Sequence, residues 1–166
     1  MPPQMIGGYV TGPVLIARSD RFVLAARQVL AFPVGVEVEV EAHGRGTFPG
    51  KTAPRDPEGL TGLQQLRFRV QFADGRKAAQ DDEAGLRSGL GPMLIVNGFE
   101  GSSGGPDGRE DVRLTLWIWP LPPPGPVTIG CSWPGSGLQN AGLVLDGGSM
   151  RVAASQAQPF WPAPGS

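Results

Sequence analysis

Val112-Arg-Leu-Thr-Leu-Trp-Ile-Trp119, Pro120-Leu-Pro-Pro-Pro-Gly-Pro126 and Val127-Thr-Ile-Gly-Cys-Ser-Trp-Pro134 follow one another without interruption. The two outer runs are rich in β-branched and aromatic residues, with an apolar side chain at every second position, which is the pattern of a half-buried strand. The middle run holds five of the 18 prolines, and proline has no N–H to give to a ladder. The expected unit is therefore a hairpin of two antiparallel strands around a rigid connection. If Val112, Leu114, Leu116 and Ile118 face the core, Trp117 and Trp119 fall on the other face with Arg113 and Thr115. Two indoles beside an arginine suggest a carbohydrate-type ligand surface. The plainer expectation is that a strand, a loop or the Pro-rich link covers them. Val127, Ile129, Cys131 and Trp133 share a face of the second run, which makes Cys131 a small buried hydrophobe rather than a nucleophile.

The same period of two recurs outward from this stretch. Val14 to Ala17 reads as a short strand. Phe22, Leu24 and Ala26 open a longer one that becomes irregular at Arg27 and Gln28, as a bulge would make it. Phe32-Pro-Val-Gly35 suits a tight turn, after which Val36, Val38 and Val40 alternate with Glu37, Glu39 and Glu41. Leu66, Phe68, Val70 and Phe72 alternate with Gln65, Arg67, Arg69 and Gln71, and Glu-to-Arg pairs would form if these two strands were neighbours. Asp74-Gly75 is a hairpin signal leading to a short basic edge strand, Arg76 to Ala79. Met93 to Val96 and Leu143 to Leu145 read as further strands. Met150, Ala153, Ala154 and Ala157 fall at helical spacing behind Ser149, the expected N-cap, and Pro159 ends that helix. Phe160-Trp161-Pro162 is expected to dock back on the body.

Composition narrows the function classes. With 14 Lys and Arg against 15 Asp and Glu, the formal charge is −1, so no overall positive field draws in nucleic acid or an anionic membrane. One Cys and one His permit no internal disulfide and no Cys/His zinc site, and no cofactor is implied. No apolar run reaches the length of a membrane span, and Met1 to Tyr9 lacks the basic start and apolar stretch of a signal peptide. A cytoplasmic location is the expectation. Gly (26) and Pro (18) are abundant, yet most lie between periodic segments, as turn punctuation in a loop-rich β domain.

The reactive residues do not converge on a reaction. Glu37, Glu39 and Glu41 share one strand face, which is expected to be solvated. Residues 42 to 63 read as a long polar loop with His43 at its start, an exposed bystander rather than a base. Asp81-Asp82-Glu83 lacks the ordered oxygens of a calcium loop. Gly98 to Gly108 reads as a Gly/Ser-rich connection. Within it Gly101-Ser-Ser-Gly-Gly105 matches G-x-S-x-G in form only, because Pro106-Asp107-Gly108 bars the helix that a nucleophile elbow requires.

Leu66-Arg-Phe-Arg-Val-Gln-Phe-Ala-Asp-Gly-Arg-Lys77, Trp117-Ile-Trp-Pro-Leu-Pro-Pro-Pro-Gly-Pro126, Cys131-Ser-Trp-Pro134 and the closing Leu145-Asp146, Ala153-Ala154 and Trp161-Pro162 together resemble an uncharacterised family of actinobacterial hypothetical proteins, from about Val14 onward. The resemblance implies no activity, ligand or catalytic residue.

The expected fold is all-β, an antiparallel β-sandwich of immunoglobulin-like or jelly-roll-like shape with roughly seven to nine strands and one short C-terminal helix. Residues 1–13 are expected to be a flexible lead-in, 14–162 the domain and 163–166 a tail. The expected function is a non-catalytic protein-interaction or structural module, with an unknown protein partner or a second copy. The alternatives are ligand binding around Trp117, Trp119 and Arg113, and an enzyme using His43.

Overall fold

Alternation along the chain becomes two antiparallel layers in the computed structural model, which describes residues 4–45, 66–80, 92–103, 109–134 and 138–161. The strands are β1 (Met5–Ile6), β2 (Gly8–Thr11), β3 (Val14–Arg18), β4 (Phe22–Phe32), β5 (Gly35–Arg45), β6 (Arg67–Gln71), β7 (Lys77–Ala79), β8 (Met93–Ser103), β9 (Arg109–Trp119), β10 (Pro126–Trp133), β11 (Leu138–Asp146) and β12 (Gln158–Pro159). Among the described residues the helix is α1 (Gly147–Ser155), which lies between the last two strands. The larger sheet runs β2-β4-β5-β9-β8, with β3 also paired to β4, and the smaller runs β11-β10-β6-β7. β1 and β12 form a separate two-stranded ribbon. The fold is the expected all-β arrangement with a short helix near the C-terminus.

The parity of β4 illustrates how the pattern sets the pairing. Phe22, Leu24 and Ala26 are buried at even positions, then Val29 and Ala31 at odd ones. The register against β5 slips between Ala26 and Gln28, so Arg27 is the extra residue that lets both halves keep their apolar side inward. The Asp74-Gly75 turn is also present: Phe72 N–H donates to Arg76 O (2.8 Å) and Gly75, at φ +89°, donates to Phe72 O (3.0 Å). β7 follows as the edge of its sheet.

The opening stretch pairs differently from a hairpin. β9 pairs with β5 and β8 in the larger sheet, whereas β10 pairs with β11 and β6 in the smaller one. The Pro-rich link therefore crosses between layers. An extended proline segment rises about 3.1 Å per residue, so six residues can span the roughly 10 Å between packed sheets. Proline's restricted backbone resists the tight reversal that a hairpin needs. The inner faces meet in one apolar cluster, and the Phe22 and Trp133 rings, one from each sheet, sit 5.3 Å apart across it. Cys131 is buried in this cluster, and burial pushes its thiol up to about 11, against an opposing pull from Arg69. The thiol is held protonated and unreactive at neutral pH.

Other boundaries shift for identifiable reasons. Residues 5–11, expected in a flexible lead-in, form β1 and β2 because β4 and β12 offer them partners. β5 extends to Arg45 and takes in the first residues of the expected long loop, and β8 extends to Ser103 into the expected Gly/Ser-rich connection. The remainder of the long loop, the Asp81-Asp82-Glu83 turn and the tail lie outside the described residues. The Glu-to-Arg pairs do not form, because β5 and β6 belong to different sheets. α1 begins earlier than expected, with Asp146 rather than Ser149 as N-cap: its carboxylate accepts from Ser149 Oγ and from the N–H groups of Gly148 and Ser149. Those three donors, the hydroxyl first, hold the Asp146 carboxyl below the usual carboxylate range.

Candidate functional site

The outer face of the larger sheet is built from residues that alternate with the core positions of β5 and β9. Successive cross-strand rows read Leu30–Glu37–Trp117–Ile95, then Gln28–Glu39–Thr115–Asn97, and at the far end Val23–His43–Asp111. Side chains in one row lie close enough to interact. Three different environments result along a single strand.

At the hairpin end, Trp117 is 2% exposed. Its indole meets the Phe32 ring edge-on at 5.9 Å, and the missing side chain of Gly35 makes room for it. Trp119 is half-buried and Arg113 is exposed. The expected surface of two indoles beside an arginine is therefore not what this face presents, because the covering role falls to Phe32 at the hairpin end. Glu37 lies in the same row as Trp117, and its half-buried position pushes its carboxyl above the usual range, with the Glu39 charge adding to the shift.

In the middle, Glu39 accepts from Gln28 Nε2 (3.0 Å) and pairs with Arg27 Nη1 (3.5 Å). The three acids of β5 are half-buried rather than fully solvated. At the far end His43 is held between two carboxylates. Its Nδ1 donates to Asp111 Oδ1 at 2.5 Å, and its Nε2 lies 3.5 Å from Glu41 Oε2. His43 is thus a strand residue with fixed partners, not the start of a loop. An imidazole oriented by a carboxylate is one component of acid–base machinery. Ser19 lies in the adjacent cleft, and its Oγ accepts the backbone N–H groups of Arg21 (3.4 Å) and Phe22 (3.2 Å) in a local turn.

Sequence reasoning passed over Asp111. The available signal was the alternation itself, since Glu37, Glu39, Glu41 and His43 form one series and Asp111, Arg113, Thr115, Trp117 and Trp119 another. Which member of one faces which member of the other depends on register. Among the described residues, no group of three or more His, Cys, Asp or Glu side chains is placed to hold a metal ion, and no helix is long and apolar enough to cross a membrane.

A second feature lies at the chain ends. Met5 and Ile6 pair with Pro159 and Gln158, and Phe160 N–H donates to Gln4 O (3.2 Å). The backbone docks here as expected, but the side chains do not bury: Ile6 is 59%, Phe160 51% and Trp161 75% exposed.

Compared with known proteins, the chain matches no family model, no curated protein and no solved structure.

Proposed function

We propose that this protein is a non-catalytic interaction module that pairs with a second copy of itself through the β1–β12 ribbon. The observation that carries this reading is Trp161, 75% exposed, with Phe160 before it in the chain and Ile6 on the paired strand exposed as well. A bare indole is the side chain that gains most from being covered at an interface, and tryptophan is enriched among the residues that dominate binding energy. A second copy is the occupant because the contact can be isologous, each ribbon covering the other's indole. The net charge of −1 sets up little long-range repulsion between copies. Sedimentation velocity over micromolar concentrations should show a dimer. Trp161→Ala should be monomeric yet folded, with a thermal midpoint that no longer rises with protein concentration, since an exposed side chain contributes little to the fold of a single copy. A monomer at every concentration, or a dimer that survives Trp161→Ala, would refute the proposal.

A second reading is an enzyme using His43, favoured by the 2.5 Å contact between its Nδ1 and Asp111. It requires turnover that His43→Ala abolishes and Asp111→Asn reduces by roughly the 10²–10⁴-fold typical of lost acid–base catalysis. No turnover on a panel of nitrophenyl esters and phosphates, or turnover indifferent to His43→Ala, removes it.

A further inference from the structure

We infer that the cleft at the His43 end of the larger sheet is a binding site for a small molecule carrying a phosphate group. This cavity, of about 520 Å³, is lined by Arg18, Ser19, Asp20, Arg21, Val23, His43, Gly44 and Arg45. Its floor and walls follow from register. Arg18 faces Val23 across β3 and β4, and Val23 faces His43 across β4 and β5. The short Val23 side chain thus lies in a trough between two longer ones. One row further out, Arg45 N–H donates to Arg21 O at 2.8 Å, which sets two arginines side by side.

Like charges brought side by side without a counter-charge repel one another. Elsewhere on this sheet an arginine is answered: Arg27 pairs with Glu39. Among the described residues, the guanidinium groups of Arg18, Arg21 and Arg45 are in no ion pair. Asp20 is the acid among the lining residues, while Asp111 and Glu41 are directed to the nitrogens of His43. The cleft therefore holds more positive than negative charge, at an energetic cost that a bound anion would offset.

Guanidinium forks match the oxygens of phosphate and carboxylate alike. Three forks around one cleft favour the more highly charged group, phosphate. The volume falls in the range of small-molecule sites, about 300–1,000 Å³, and exceeds what a bare ion fills, leaving space over Val23 for an organic body. His43, with both nitrogens engaged, forms a wall of this site.

Isothermal titration at constant ionic strength, with inorganic phosphate, pyrophosphate and citrate as probes, tests the assignment. Pyrophosphate should give saturable heat and bind more tightly than citrate. Arg45→Gln and Arg21→Gln should each weaken it at least tenfold. Without ligand, both variants should melt at a higher temperature than the parent, because the opposed charges are relieved. Absence of saturable heat, tighter binding of citrate, or affinity unchanged in both variants would overturn the inference.

Discussion

Trp133→Ala is expected to lower the unfolding free energy by about 3–5 kcal/mol, the range for removing a fully buried aromatic side chain. Trp133 is 1% exposed on β10 and is among the largest side chains wholly enclosed in the core. It is also where the two sheets touch through aromatic rings, since Phe22 of the other layer lies 5.3 Å away at a tilt of 48°. The truncation therefore opens a cavity between layers rather than within one, where neither sheet can close the gap without sliding on the other. For a chain of this size each kcal/mol lowers the thermal midpoint by roughly 2–4 °C. Phe22→Ala made in the Trp133→Ala background should cost measurably less than in the parent, because much of its contact is already gone. A loss below about 1 kcal/mol, or strict additivity of the two changes, would mean that the layers are not joined at this point.

What was legible in the sequence, and what was not, divides at the range of the interaction. The bulge at Arg27 was visible because it is a local change of parity: the apolar positions switch from even to odd within six residues. The turn at Asp74-Gly75 was visible because its chemistry sits in two adjacent residues. The link from Trp119 to Pro126 reads locally as a hairpin connection, whereas the structure carries it between sheets, for the opposite reason. Two strands adjacent in sequence usually pair, and nothing local states that the proline run is long and stiff enough to carry the chain into the other sheet. Much of the candidate site lies at the same range. His43 and Asp111 are 68 positions apart, and their meeting depends on the register of β5 on β9. Arg21 and Arg45 depend likewise on β4 and β5. The exposed ribbon is not legible in the sequence because Phe160 and Trp161, as aromatic residues, are expected inside. Both lie just past β12, whose pairing with β1 joins segments far apart in the sequence.

Gly35→Ala is expected to destabilise the protein by about 2–3 kcal/mol, although it adds one methyl group and alanine generally suits regular structure better than glycine. Gly35 opens β5 at a buried position facing its neighbour β9. A Cβ placed there would lie 2.5 Å from the Ile118 carbonyl oxygen and 2.7 Å from Trp117 Cζ2. The first contact is with backbone already held in the β5–β9 ladder, since Val36 is the register partner of Ile118. The second is with an indole pinned by Phe32. The methyl therefore has nowhere to go unless the hairpin end lifts from β9. These two clashes can be separated experimentally. Trp117→Leu should itself be destabilising, but adding Gly35→Ala to it should cost less than in the parent, because the indole no longer obstructs the methyl. A residual cost must persist, because the Ile118 carbonyl remains. Chemical denaturation of the four proteins closes this cycle. If Gly35→Ala is neutral in the parent, the close approach of β5 to β9 is wrong, and with it the burial of Trp117 between them.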